Sequence, residues 1–404
     1  MDLVPRLRRF EWHLLQGTSG CDECDVWDAE LNSLIITNNQ THEKGLILRL
    51  SNRFRVAVVG GSLGGLSAAN VLHRLGADVQ VFEADAQGFQ QRGGALGSVD
   101  GGLVRAIRPD ADADKRIDGH GHFYGALWAH LYAGLPAGTV RFGVDVQALD
   151  AVQSIAPRLK ISNHAPSFDL IIGADGGRSI VRPYVSQGSP AYAGYTVWRG
   201  LVPMGDAAGP PSGRTSLAGV RYDTLGFPFV GAGGVSFWNC GVYMAMPESE
   251  VERPSRNRQL GQAAMRQVPD WFLPFIEMLF DQRSTRFWRA CIAHGKVTPH
   301  AVWEFAAERV VHERVILLGD AAHMASPRTG AGAYTAMFDA IVLGKSLEQT
   351  NTLEEALQLY NNSTVERGRQ LYQRSRTAAT FFAPEGRPIA SPEALLPLGR
   401  HARS

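Results

Sequence analysis

The chain has 404 residues, enough for a large core and two joined domains, and its 45% apolar and 20% charged residues are those of an ordinary globular protein. A net charge of +1 gives no reason to expect nucleic acid or an anionic membrane as partner. Four cysteines make no disulfide framework at this length, Cys21-x-x-Cys24 lacks the second ligand pair a zinc site needs, and no apolar run suits a membrane span or a secretory signal, so a soluble cytoplasmic protein without a metal is expected.

Residues 1–52 lack sustained periodicity and read as a poorly ordered N-terminal extension. The first organised stretch follows. Val56–Val59 is apolar throughout, as a strand buried on both faces is. Gly60 permits a tight turn, and Gly65 lets the next helix lie close to the strand. Val79–Glu83 reads as a second strand ending in an acid 23 residues after Gly60, near the spacing at which a carboxylate meets a ribose hydroxyl in dinucleotide folds. The N–H groups and dipole of the helix start favour a pyrophosphate there. The same residues also spell Gly-x-Ser-x-Gly, the nucleophile elbow of serine hydrolases, with Ser62 as nucleophile. That elbow follows a sheet already built, whereas only weakly patterned residues precede Ser62, and it leaves Glu83 unexplained. The dinucleotide reading accounts for both, with Ser62 standing where a second glycine is usual.

Arg92, followed by Gly93-Gly94, is placed to bond phosphate or ribityl oxygens, although a solvated loop would look the same. Residues 103–119 are rich in charge and read as a surface loop. Phe123, Leu127, Leu131 and Leu135 step by four and predict an amphipathic helix over 122–135. Thr139–Phe142 and Val144–Val146 look like strand pieces. In Asp169–Ser179 a buried strand runs into Asp175-Gly176 and a helix start flanked by Arg178 and Arg182; this suits a ligand crevice, and equally a common turn and N-cap.

Residues 191–247 change character. Aromatic, alternating segments joined by Gly and Pro turns predict antiparallel strands, whose inward side chains suit a pocket for a flat substrate but on base rates mostly pack the core. Residues 257–280 look helical, broken by Pro269 and Pro274. In Arg314–Ala336 a strand leads into Gly319-Asp320-Ala321-Ala322-His323, then a loop with Pro327, then Gly330-x-Gly332 opening a helix to about Leu347. Asp320 suits a sugar-like hydroxyl, and the helix start suits negative charge on a cofactor ring. A further helix covers 352–377, and order is expected to fade beyond Phe382.

Gly60–Glu83, Asp169–Ser179 and Arg314–Gly332, in this order, resemble the group A flavoprotein monooxygenases of the p-hydroxybenzoate hydroxylase type. The run Ala191–Val202 resembles more narrowly the branch with 2,6-dihydroxypyridine hydroxylase and FAD-dependent urate hydroxylase. The resemblance implies an α/β protein: a discontinuous Rossmann-like FAD-binding domain (53–185 and 296–380), an inserted mostly antiparallel β-sheet substrate domain (186–295), and a tail (381–404). It implies that Gly60, Ser62 and Gly65 frame the pyrophosphate turn, Glu83 binds the adenosine ribose, and Arg92 contacts FAD. Asp175 and Gly176 would serve FAD and NAD(P)H, Gly319 and Asp320 the ribityl chain, and Pro327, Gly330 and Gly332 the isoalloxazine ring. Arg199, Arg221, Tyr222 and Trp238 are substrate candidates from the sheet. The implied reaction is NAD(P)H-driven hydroxylation of an electron-rich aromatic or N-heteroaromatic small molecule by molecular oxygen, through a flavin C4a-hydroperoxide. A homodimer is compatible with this reading. The stretch between Arg92 and His122 is shorter than in that family, which keeps a non-catalytic flavin-binding relative open beside an FAD-dependent reductase or epoxidase of a non-aromatic substrate.

Overall fold

The computed structural model describes residues 53–89, 95–96, 99, 101–109, 122–162, 164–210, 213–231, 234–251, 268–385 and 389–401. The expected N-terminal extension and Arg92 lie outside the described residues.

β1 (Arg55–Val59) leads through a turn into α1 (Leu63–Arg74), and β2 (Asp78–Glu83) follows. Gly60 sits at φ +104°, and a Cβ there would stand 2.3 Å from the Ala174 carbonyl oxygen, so only glycine permits this turn. A Cβ at Gly65 would stand 2.0 Å from the Gly60 oxygen, which is why α1 packs so tightly on β1. β3 (Ala95–Leu96), α2 (Gly101–Ile107) and β4 (His122–Phe123) come next, then α3 (Tyr124–Ala133), β5 (Val140–Phe142), the hairpin of β6 (Ala148–Asp150) and β7 (Arg158–Lys160), β8 (Leu170–Gly173) and the one-turn α4 (Arg182–Val185). Three long strands and a short one occupy the middle of the chain: β9 (Ala191–Pro203), the short β10 (Gly213–Leu217), β11 (Val220–Val230) and β12 (Ser236–Ala245). α5 (Phe272–Leu279), α6 (Gln282–Ala293), β13 (Val297–Ala306), β14 (Val311–His312), β15 (Val315–Leu317), β16 (His323–Met324), α7 (Gly332–Gln349), α8 (Leu353–Phe382) and α9 (Pro392–His401) complete the order.

The first sheet runs β14-β15-β8-β1-β2-β5, parallel except for β14 at its edge. Val59 lies opposite both Phe82 and Gly173, and Leu317 lies opposite Gly173. The strands therefore finish level, and the loops after β1, β8 and β15 emerge beside Glu83 along one edge. In open α/β sheets this carboxyl edge is where ligands bind.

The second sheet runs β10-β11-β12-β9-β13-β16 and is antiparallel throughout. Alternation along its strands sorts the side chains onto two faces. Trp198, Tyr222, Cys240 and Met244 pack on one face against Phe272, Phe287 and Trp288 of α5 and α6. Ring pairs such as Trp198–Phe272 (4.7 Å) and Phe272–Trp288 (5.2 Å) add about 0.5–1.5 kcal/mol each beyond area burial. The other face carries Tyr195, Val197 and Tyr243, covered in part by Ala379 and Phe382 from α8.

Several expectations are corrected. Residues 101–107 are helical rather than loop, because Leu103, Val104 and Ile107 share a buried side. Val144–Val146 is not a strand: Gly143 at φ +69° turns the chain, and pairing resumes only at β6. Pro274 does not break its helix, since it stands in the first turn of α5, where a missing N–H costs nothing. Beyond Phe382 the chain forms α9, whose Leu395 is buried in the α5–α6 core.

Candidate functional site

The carboxyl edge of the parallel sheet is built around Glu83. This side chain is buried, and its two oxygens accept hydrogen bonds from the N–H groups of Gly61 and Asp85, each at 2.7 Å. Trp128 of α3 donates its indole N–H to the Gly61 carbonyl at 2.7 Å, so the turn is held from two sides. α1 begins without a side-chain cap, which leaves its N-terminal end available to an anion. Ser62 Oγ lies 2.6 Å from Tyr124 Oη. Burial, against that hydrogen bond, pushes the Tyr124 hydroxyl up to about 12. Among the described residues the partner of Ser62 is thus a neutral phenol and not a base, and the hydrolase reading finds no proton acceptor at its serine there.

Asp175 follows β8. Its Oδ2 accepts from Ile180 N–H at 2.7 Å, while its Oδ1 is buried with no partner among the described residues. Burial pushes its carboxyl above the ordinary range, against the hydrogen bonds of Ser179 and Ile180. Asp320 follows β15. It is exposed to solvent, yet burial by the surrounding protein raises its carboxyl against the charges of His323 and Arg182. A carboxylate that water reaches and protein walls in stands on the floor of a crevice. Arg182 ties the two loops together: Nε donates to the Ala321 carbonyl (2.8 Å), Nη1 to Gly177 (2.9 Å) and Nη2 to Asp320 (2.8 Å), with the guanidinium 4.5 Å over the Phe305 ring. Sequence reading noted Arg182 only as a flank of the Asp175 loop. Its role needed the contact with residues almost 140 positions away.

Asp339, on α7, was missed altogether. It is fully buried; its Oδ2 accepts from Gly319 N–H at 2.9 Å and lies 2.7 Å from His323 Nε2, and its Oδ1 lies 3.4 Å from Arg367. Burial alone would raise its carboxyl, but the His323 and Arg367 charges and the Gly319 bond hold it below the ordinary range. The available signal was an acid inside the apolar run Met337–Ile341. The loop that follows is held as firmly. Ser326 donates its N–H to Ser375 Oγ at 2.6 Å and bonds the Tyr195 hydroxyl; Ser375 in turn bonds Glu304, which pairs with Arg376. Pro327 opens a single turn ending at Gly330, and α7 then starts at Gly332 without a side-chain cap and with open space beside it.

The sheet face carrying Tyr195 and Tyr243 adjoins this loop. Arg328 reaches the buried Asp223 at 3.3 Å and lies 5.9 Å from the Tyr243 ring. Arg221 grips Asp223 with two nitrogens at 2.6 and 2.5 Å and stacks 4.7 Å over Phe381. Arg199 is on the same face. Tyr222 is not: one residue out of step, it points into the α5–α6 core against Phe275 and has no exposed surface. Trp238 packs against that core too. Arg199 and Arg221 therefore share a face, two strands and four residues apart, whereas Tyr222 and Trp238 pack into the core on the other.

The family model described as FAD binding domain matches residues 134–375. The chain belongs to this FAD-binding domain family. Its relatives include an FAD-dependent urate hydroxylase from Klebsiella pneumoniae, 32% identical over 52% of this chain and 51% of the relative, and a 3-amino-4-hydroxybenzoate 2-monooxygenase from Streptomyces cremeus, 29% identical over 82% and 89%. The chain spans about half the length of the curated relatives it matches at 32% identity. The solved 2,6-dihydroxypyridine-3-hydroxylase from Arthrobacter nicotinovorans shares the fold, with a TM-score of 0.68 over 85% of this chain and 97% of that one at 20% identity. The site fits the cofactor of an FAD-binding domain. The crevice presents an unsatisfied carboxylate oxygen at Asp175, a solvent-facing acid at Asp320 and open space at Gly176 and Gly332. An elongated, hydroxyl-bearing anion can fill those demands together. Among the described residues no helix is long and apolar enough to cross a membrane.

Proposed function

We propose that this protein is an FAD-dependent monooxygenase that hydroxylates an electron-rich aromatic or N-heteroaromatic ring, with NAD(P)H as reductant and molecular oxygen as co-substrate. The observation that carries this is the adjacency of two features. A crevice with Glu83, Asp175 and Asp320 at level strand ends opens beside a cationic, aromatic sheet face, and the loop bearing Arg328 joins the two. The substrates in the relatives' names, urate, dihydroxypyridine and aminohydroxybenzoate, are flat oxygenated rings, which supports the substrate class.

In this reading the Gly60–Gly65 turn takes the pyrophosphate and Glu83, while bracing that turn, accepts from the adenosine ribose. Asp320, beside Gly319, accepts from the ribityl chain. Pro327, Gly330 and Gly332 border the isoalloxazine, with the α7 dipole favouring negative charge on the ring. Asp175 offers its free oxygen between FAD and the nicotinamide nucleotide. When bound, FAD supplies the redox and oxygen chemistry that no side chain can. The chain's own work is to hold the ring with Arg199 and its neighbours, and to keep water out with the sheet and the end of α8.

Purified protein should carry the visible absorption of flavin. NAD(P)H oxidation should rise when a phenol or hydroxylated N-heterocycle is added, with a product one oxygen heavier. A flavin-loaded protein that no ring stimulates would instead be a reductase or a binding protein.

A further inference from the structure

Helix α3 reaches the glycine turn with two side chains that none of the roles above employs. Tyr124, Trp128 and Tyr132 step by four along one side of this helix. Their rings pack as a row: Phe89 lies 6.3 Å from Tyr124 and 6.0 Å from Trp128, and Trp128 stacks on Tyr132 at 5.2 Å. Packing accounts for the rings but not for their polar ends. The Trp128 indole donates to the Gly61 carbonyl, and one turn earlier the Tyr124 hydroxyl meets Ser62 Oγ at 2.6 Å. α3 thus clasps the loop after β1 at two successive residues. The Tyr124 hydroxyl also feels the charges of both Glu83 and Asp320. Those are the acids assigned above to the adenosine ribose and the ribityl chain, and in FAD the group that joins these two is the pyrophosphate. Two hydroxyls in contact hold two protons. One bridges them, and the other is left to donate. A phenol is a far stronger acid than an alcohol, hence the better donor to an anion. Ser62 makes no side-chain cap to α1, so its own proton is available to the phenolic oxygen.

We infer that Tyr124 donates its phenolic proton to the pyrophosphate of FAD, with Ser62 Oγ donating to the phenolic oxygen and Trp128 fixing the turn beside them. This assignment rests on the flavin reading of the crevice. The hydroxyl is built to stay a donor. Burial, opposed by the Ser62 bond and seconded by the Glu83 charge, pushes it up to about 12, so it meets a diphosphate as a neutral group and not as another anion. It is also held in place before the cofactor arrives. β4 pairs with β3, Phe123 opposite Ala95, and runs directly into α3, so strand and helix fix Tyr124 from both sides. A hydrogen bond to a charged acceptor of this kind is worth about tenfold to a hundredfold in affinity.

The test strips FAD from the holoenzyme and titrates it back. Kd is read from the quenching of flavin fluorescence, Tm is taken with and without FAD, and phosphorus NMR is recorded on the reloaded protein. Tyr124→Phe should raise the Kd at least tenfold, leave the Tm of the flavin-free protein at its wild-type value, and move a pyrophosphate resonance. Ser62→Ala leaves the phenol its proton and should raise the Kd no more than threefold. Trp128→Phe strips a partner from the Gly61 carbonyl and should lower the Tm with or without FAD. Should Tyr124→Phe fail to fold, Tyr124→Met takes its place with the same rise in Kd. A folded Tyr124 variant that binds FAD within twofold of wild type, with both phosphorus resonances unmoved, overturns the assignment alone. So does a Ser62→Ala protein that loses as much affinity as Tyr124→Phe, since the serine would then be the donor. A wild type that takes up no FAD overturns the flavin reading and this inference with it.

Discussion

Asp320, on the loop after β15, and Ser62, on the loop after β1, separate the two readings of the glycine turn. Asp320→Ala removes the solvent-facing acid on the crevice floor and should yield colourless protein on purification. Ser62→Ala removes only the contact with Tyr124, costs about 1 kcal/mol of stability, and should keep its flavin and its activity. A dead but yellow Ser62→Ala enzyme would reopen the nucleophile reading. Both residues were singled out by motif, since each sits beside a glycine that the local backbone demands. Tyr222 shows where motif reasoning stops. A strand's two faces are set by parity, and nothing local says which parity faces the cofactor; the partners of β11 decide it.

At the level of elements, the crevice depends on two buried charged side chains. Arg182 fastens the loop after β8 to the loop after β15 with four carbonyl acceptors. Arg182→Met leaves those carbonyls buried and unpaired and should cost about 3 kcal/mol, read as a lower denaturant midpoint together with weaker FAD retention. Asp339 fastens α7 to Gly319, His323 and Arg367. Asp339→Ala strands a buried guanidinium and should destabilise by about 3–5 kcal/mol. The pH dependence has a definite sign. Because the folded Asp339 carboxyl lies below its unfolded value, its contribution is present above that value, near 4, and is lost as pH falls through the lower folded one. Asp339→Asn should therefore show a shallower loss of stability on acidification than wild type. Asp175 and Asp320 run the other way: raised in the fold, they weaken it as pH climbs past their unfolded values, unless a bound hydroxyl pairs with them.

For the whole molecule, a crevice with unmet polar groups predicts coupling between cofactor and stability. FAD at a hundredfold excess over its Kd should stabilise the protein by about 2.7 kcal/mol, visible as a rise in Tm that Asp320→Ala abolishes. An unchanged Tm in wild type would count against a flavin gripped by all three loops. The parallel sheet, its glycine turn, the long helices α7 and α8 and the acids at the strand ends were legible in the sequence, because each rests on local physics: two-faced burial, positive φ, helical spacing, turn chemistry. The middle sheet was legible as strands but not as a surface. β13 carries Thr298, Pro299 and His300 in an unremarkable pattern and becomes a strand only by pairing with β9, and that pairing sets His300 in line with Val197 and Thr298 with Arg199. By itself the sequence determined which segments form strands and helices and which residues end them, since those choices are made by neighbours in the chain. Which side chains meet across the crevice, from Arg182 on two loops to Asp339 beneath Gly319 and Arg199 beside His300, was decided only in three dimensions, because those energies come from groups that distant segments bring into contact.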